Sequence, residues 1–479
     1  MKKIINLEIN EISPNLIKDY IDNHRNSNLA NLKYKRLLSI YKTKALDVPK
    51  KKLYPSQTWA SFNTGKSFDE HKCYWYSDYL DSELLLWQKL VKNNINVGVI
   101  GSIHSSKYPK DLFSNKKYKF LLPDCFSNKS ITKPDCYKYF QSFNNNLVSN
   151  SARITGLKSL IILISGYLIQ ILKSPRNFGI SFFSLKLILN IIFLSIRYRN
   201  KEFIRMAQFP LLCSIFINLF SRYKPEYSTI FSNHIAGNMH RYWYAHDINS
   251  FKNKKKYKSS WIKRNKEAVN IGIDLLDRFL GVLMEKKIFE NCTFLITSSM
   301  GQEANPEFDS KYLSNFDGKI HDMDLFIEKL SNYQRDEYGL VVNYNHNRNM
   351  APQYGFDFSD QKGLDLNFVK TTIESFFNTL GIKTNIDKEG YSIVISIDPY
   401  TDIEFQENYD LKKANAKYSK FGFKFFKIED HHSGSHFEDG SLIVINSSKK
   451  LDSCIKKVEN KNWINYLKFN DIVIDYFND

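Results

Sequence analysis

The sequence predicts an α/β fold with a mostly parallel central sheet, helices on both faces, and an apolar helical insertion. Three observations predict it. Short apolar runs alternate with segments of helical period, polar clusters follow the carboxyl ends of several runs, and one central stretch is far more apolar than its surroundings. Open α/β sheets hold ligands beyond the carboxyl ends of their strands, so those polar clusters are candidate site segments.

Taken in order, Ile4–Ile9 is an apolar run that closes on Asn10-Glu11, and Ser13-Pro14 then opens a helix reaching about Asp22. Residues 30–57 are lysine-rich with no strong period. Asp81–Lys92 reads as a helix and Asn96–Ile100 as a buried strand, whereas residues 104–150 read as loop around Pro109, Pro123 and Pro134. Tyr227–Phe231 is a short β-rich run. Lys263–Lys287 is a long helix, because Val269, Ile273, Leu276, Phe279, Leu280 and Leu283 recur at its period. Thr293–Thr297 is a buried strand, Tyr338–Tyr344 a further strand, Phe368–Leu380 a helix, Tyr391–Ile397 an alternating strand and Ser441–Ile445 a late one.

Residues 157–220 stand apart. Leu160–Leu172, Phe182–Ile196 and Phe209–Phe220 are three strongly apolar stretches, separated by Lys173–Pro175 and Arg197–Arg205. Each is shorter than the roughly 20 residues of a membrane-spanning helix. Three placements are open: a buried helical subdomain, a patch on a membrane surface aided by the flanking lysines and arginines, or a transmembrane hairpin.

The chain has 479 residues, enough for one large domain or two ordinary ones. With 43% hydrophobic and 15% aromatic residues, it belongs to neither the disordered nor the fibrous class. The net charge of +18 reflects a lysine-rich surface, or an attraction to an anionic partner such as a phosphate ester, glycan or lipid. There is no zinc-knuckle spacing and no interleaved aromatic–basic motif, so a nucleic-acid partner is not expected. Six cysteines without a CxxC pair point to reduced thiols and a cytoplasmic setting, at the inner face of the membrane if the apolar stretch meets lipid. Lys2–Ile9 is charged and reads as a strand, not as a leader.

Four clusters carry the candidate chemistry. They are Glu8–Glu11, Pro55–Gly65 with His71, Asn233-His234 with His240, and His431–His436 before Asp439-Gly440. Five of the chain's 11 histidines lie in the last two, a clustering that surface composition does not explain. Imidazole, carboxylate and amide groups are the usual ligands of zinc and manganese.

The second cluster resembles the nucleophile segment of type I phosphodiesterases and nucleotide pyrophosphatases of the alkaline phosphatase superfamily. Thr58-Trp-Ala-Ser61, Thr64-Gly65 and His71 stand in that pattern. The resemblance puts the nucleophile at Thr58. It also matches Asn10-Glu11 to the end of the opening strand and Asn233 with His240, or His234, to the mid-chain motif. Ser298-Ser299-Met300-Gly301 corresponds to Ser-Asp-His-Gly, and His436 before Asp439-Gly440 to the terminal histidine.

On this likeness, residues 1–156 and 223–479 form two parts of one domain around an insertion at 157–222. One metal position becomes Asn10, Thr58, Ser299 and Met300, poor ligands for a hard ion. The other becomes Asn233, His240 and His436, with His234, His431 or His432 nearby. That position implies one divalent ion, zinc or manganese, or none. Glu11 is the candidate general base, and Ser299, Gln302 and His432 are the candidate substrate contacts. The implied activity is hydrolysis or transfer of a phosphate or sulfate ester, in glycan or nucleotide-linked metabolism. The alternative is a non-catalytic, metal-poor protein that binds an anionic glycan, lipid or protein.

Overall fold

The computed structural model describes residues 3–48, 53–76, 78–126, 130–151, 157–254, 256–305, 308, 316–347, 349, 353–397, 411–427 and 432–478. Its frame is a nine-stranded sheet. Six of the strands are β1 (Lys3–Ile9), β2 (Leu38–Lys44), β3 (Val97–Ile100), β4 (Tyr118–Leu122), β5 (Tyr227–Ser232) and β6 (Cys292–Thr297). The order across the sheet is Glu459–Asn460, Trp463–Asn465, β2, Asp439–Ile445, β6, β1, β5, β3 and β4. From β6 to β4 every pairing is parallel, and Asp439–Ile445 runs antiparallel to both β6 and β2.

Strand β1 shows why the layers form. Its side chains alternate, so Ile5, Leu7 and Ile9 enter one apolar core while Ile4 enters another on the opposite face. Helices Pro14–Asn23, Gln208–Tyr223, Ala236–His246 and Ala268–Glu285 cover the first face. Helices Pro55–Thr64, Leu86–Lys92, Lys449–Val458 and Phe469–Phe477 cover the second. Both faces of the sheet are therefore buried, as parallel sheets require.

Several boundaries differ from expectation. The helix expected over Lys263–Lys287 is two, Ser259–Asn265 and Ala268–Glu285. Asp81–Lys92 begins as a 3₁₀ turn, Ser82–Leu84, before the helix at Leu86–Lys92. The stretch 104–150, read as loop, holds β4 and helix Lys138–Ser151. The lysine-rich stretch 30–57 holds β2, a largely half-exposed strand with no clear apolar alternation. Tyr338–Tyr344 is not a strand: helix Met323–Tyr338 ends there, with Gly339 in the left-handed region at φ 62. Its apolar Val342 and Tyr344 instead pack into a separate core. That core, within the expected C-terminal part, joins helices Met323–Tyr338, Leu366–Leu380 and Leu411–Tyr418 to a four-stranded antiparallel sheet spanning Asn345–Ile397.

The apolar stretch does not form one buried subdomain. Only its third part sinks fully: helix Gln208–Tyr223 packs under β3, β4 and β5. The segment Lys201–Tyr223 is long and apolar enough to cross a membrane, yet 61% of its apolar window is buried inside the protein. Helices Leu157–Lys173 and Phe182–Arg197 leave many apolar side chains in solvent.

Two glycines hold the sheet's carboxyl edge tight. A Cβ at Gly301 would sit 2.3 Å from the Asp439 carbonyl, and one at Gly440 2.4 Å from the Ser298 carbonyl. Backbone, not a flexible side chain, is the obstacle. Gly301→Ala is expected to cost about 1–3 kcal/mol through overpacking. Urea unfolding would read that loss, and an unchanged midpoint would show that the two segments are free to separate.

Candidate functional site

Register brings the site together. Glu8 of β1 lies level with Thr297 of β6, and Ile9 with Ser232 of β5. Asn10-Glu11, Asn233 and Ser298-Ser299 therefore emerge from three adjacent parallel strands along one edge. Glu11 adopts φ 64, a left-handed conformation that is uncommon for a residue with a Cβ. A strand, β7 (Gly301–Ala304), then pairs antiparallel with Gly434–Phe437, setting Gln302 opposite His436.

Glu11 is the centre of this edge and is only 2% exposed. Its Oε2 lies 3.0 Å from His240 Nε2, and its Oε1 3.5 Å from His436 Nε2. The Gln302 amide donates to Oε2, and Asn10 Nδ2 donates to Oε1 at 2.7 Å. Both imidazoles are turned by backbone. His436 Nδ1 donates to the Leu53 carbonyl, and His240 Nδ1 to the Gly434 carbonyl at 3.3 Å. A carbonyl only accepts, so each Nδ1 carries the hydrogen. In the neutral ring each Nε2 then aims a lone pair at a carboxylate.

That arrangement calls for positive charge between the groups, either protons or a cation. Burial alone would raise the Glu11 pKa, but His436 and then His240 outweigh it and hold the carboxyl well below its usual range. Burial likewise opposes a charged His436, yet Glu11 and the Leu53 carbonyl prevail and shift it upward from 6.5. Facing nitrogen and carboxylate atoms of Glu11, His240 and His436 all lie within 4.8 Å of one another. His436 Nε2 is buried without a hydrogen-bond partner. A carboxylate with two imidazoles, each fixed through its other nitrogen by a carbonyl, fits zinc or manganese.

The other predicted residues sort as follows. Asn10 is engaged by protein groups: its Oδ1 accepts from Trp59 Nε1 at 2.8 Å, and its Nδ2 also donates to Asn233 Oδ1 at 2.8 Å. Neither asparagine faces the imidazoles as a carboxylate would, and Glu11, expected as a base, supplies that group. His234 does not join them. Its Nδ1 meets Ser232 Oγ at 2.8 Å, its Nε2 meets the Gly272 carbonyl at 3.1 Å, and its ring stacks on Phe209. Burial pushes it down to about 3. A neutral ring with both nitrogens engaged has no lone pair to offer. His432 is exposed, with its ring centre 5.7 Å from that of His240. His431 lies outside the described residues.

Thr58 sits in helix Pro55–Thr64, which Pro55 starts by fixing φ at the first turn. Its hydroxyl is buried, 2.9 Å from Ser299 Oγ and bonded to the Tyr54 carbonyl at 3.3 Å. Met300 is fully buried in the core around Trp59. His71 is also structural in its contacts, bonded to Ser61 Oγ and to the Cys73 amide. Trp59, Leu53 and Gly434 were missed as positioning residues. Backbone carbonyls leave no trace in residue type, but Gly434 left one. A Cβ there would meet the Met239 carbonyl and Gln302 Oε1, each at 2.6 Å.

No protein-family model and no curated protein matches the chain. Among solved structures it is similar to phosphonoacetate hydrolase from Sinorhizobium meliloti 1021, at 10% identity and TM-score 0.42 over 99% of this chain and 95% of that one. It is similar to murine ectonucleotide pyrophosphatase/phosphodiesterase 5 at 10% identity and TM-score 0.36, over 99% and 95%. It is also similar to Thermus thermophilus alkaline phosphatase at 8% identity and TM-score 0.39, over 100% and 91%. At such identities and scores the likeness is remote.

The opposed shifts fix a pH window for the metal-free protein. A lowered Glu11 pKa stabilises the fold above 4.5, and this is lost as pH falls through the lowered value. A raised His436 pKa stabilises below 6.5, and this is lost as pH rises through the raised value. Removing one partner of a buried pair costs about 3–5 kcal/mol. In chelator-treated protein, the melting difference between wild type and Glu11→Gln is expected to peak between 4.5 and 6.5 and shrink toward alkaline pH. A difference independent of pH would show that the three groups do not share charge.

Proposed function

We propose that this chain is a phosphoesterase-like enzyme that hydrolyses or transfers a phosphate or sulfate ester of a small anionic substrate. The observation that carries this reading is the buried Glu11 carboxylate with two imidazole lone pairs aimed at it, at the carboxyl edge of the parallel strands. The ordered sequence resemblance, with Thr58 in the nucleophile position, supplies the reaction class.

Glu11, His240 and His436 would hold a divalent cation, which would stabilise charge on the non-bridging oxygens of the ester. Thr58 Oγ1 would attack phosphorus as the bond to the leaving oxygen breaks, its proton passing to that departing alkoxide; water or an acceptor alcohol would then cleave the Thr58 ester and return a proton to Oγ1. A strongly acidic Glu11 is a weak base, so its part is to attract charge and not to take the Thr58 proton. Ser299 hydrogen-bonds the Thr58 hydroxyl and orients its lone pairs. Asn233 and His432, both exposed, would contact the substrate.

One observation favours a second reading, a binding protein without turnover: the Thr58 hydroxyl is 0% exposed and already bonded. Two measurements separate the readings. Elemental mass spectrometry on untagged protein is expected to find about one zinc or manganese per chain, lost in a His240→Ala, His436→Ala double variant. Turnover of bis(p-nitrophenyl) phosphate is expected to fall by about 10²-fold or more in Thr58→Ala. Metal without turnover, with calorimetric binding of a nucleotide anion intact, would leave the binding protein in place of the enzyme.

A further inference from the structure

We infer that helices Leu157–Lys173 and Phe182–Arg197 form a docking surface for an anionic lipid bilayer, lying along it and not across it. Among the described residues, twelve of the twenty-two exposed large apolar side chains fall between Ile161 and Ile196. On the second helix they form a stripe. Phe182 is 86% exposed, Leu189 65%, Phe193 58% and Ile196 72%, with Leu185 and Ile192 between them. Their spacing of three, four and seven residues puts them on one face. The opposite face, Ser184, Leu187, Ile191 and Ser195, is buried against the body of the protein. The first helix repeats the pattern, with Leu163, Tyr167 and Ile171 packed inward while Ile162, Ile169 and Leu172 face water. Helices apolar on both sides gain from a second apolar environment, at about 25 cal/mol per Å² removed from water.

Charge selects the occupant. From residue 157 to 201 the chain has no aspartate and no glutamate. Lys173 and Arg176 are exposed at the turn between the helices, Lys186 mid-helix, and Arg197, Arg199 and Lys201 at the far end. Cations thus bracket the apolar face at both ends. A second copy of this chain would bring the same cations against themselves in an isologous contact, which is repulsive. Anionic headgroups attract them, at about 1 kcal/mol per residue near the surface. The 16-residue second helix is about 24 Å long, short of the roughly 30 Å hydrocarbon core. It suits the interface plane and the depth of its own exposed face.

The test is vesicle co-sedimentation of the full chain. Binding to phosphatidylcholine–phosphatidylglycerol vesicles is expected to exceed binding to phosphatidylcholine alone by at least about tenfold. Leu189→Ser with Ile196→Ser, and separately Arg197→Gln with Arg199→Gln and Lys201→Gln, are each expected to remove most of it. Both sets alter exposed side chains, and circular dichroism checks the fold. A Phe193→Trp variant reads insertion directly as a blue shift in emission on adding anionic vesicles. Equal sedimentation of wild type and both variants would overturn the proposal. So would a wild-type dimer in light scattering that the serine pair dissociates, with no emission shift on vesicles.

Discussion

Burying a carboxylate without neutralising it costs several kcal/mol, and that constraint at Glu11 organises the rest of the site. The partners that answer it come from separate parts of the chain. Asn10 follows β1, His240 lies on the helix after β5, Gln302 lies on β7 after β6, and His436 lies on the strand before Asp439–Ile445. Of these groups only Asn10 is near Glu11 in sequence. Only the strand order, β6 beside β1 beside β5, brings them to one carboxyl group. Forming the sheet and satisfying Glu11 are therefore coupled: a register slip in β1 would turn its alternating side chains to the wrong faces and leave this charge unpaired.

The protein carries its own comparison for this effect. Glu8 stands three residues earlier, on β1, and is as fully buried. Its Oε2 has no hydrogen-bond partner, and no imidazole appears among the groups acting on it. Burial pushes Glu8 up to about 7, whereas the imidazoles pull Glu11 down. Two glutamates with equal burial and opposite shifts isolate the partners as the cause. The same contrast separates Glu8, raised by burial inside the sheet, from Glu11, held charged by the imidazoles at its edge.

Much of this was legible in the sequence, for identifiable reasons. Strands β1, β3, β5 and β6 are buried on both faces and read as apolar runs, and the helix at Ala268–Glu285 shows its period plainly. Strand β2 did not, because it is half-exposed and its residues carry no alternation. The separate core of Met323–Tyr418 was also missed, since its strands and helices mimic the periods of the main fold. At the site, clustering pointed to His240 and His436. Proximity in sequence misled over His234, which faces the Gly272 carbonyl from a position six residues before His240. Side-chain direction after a strand end is set by φ and ψ. The positive φ of Glu11, which no residue-type rule anticipates, accompanies its place between the imidazoles.

The charge at Glu11 bears on what the proposed enzyme would accept. The Thr58 hydroxyl bonds to Ser299 Oγ and to the Tyr54 carbonyl, both uncharged, whereas Glu11 carries charge at the strand edge. A divalent ion there, less the Glu11 carboxylate, leaves a net charge of about +1. One positive charge complements the single negative charge of a phosphodiester. A dianionic monoester would bring a second charge toward the buried Thr58 hydroxyl, where leaving it unpaired would be costly. A sulfate monoester is also a monoanion and meets the same condition. Neither Ser299 nor the Tyr54 carbonyl carries a charge that would lower the pKa of the Thr58 hydroxyl, so on the proposed reading an acidic leaving alcohol would ease the step. On the proposed reading, the site would favour esters with one charge and an acidic leaving alcohol.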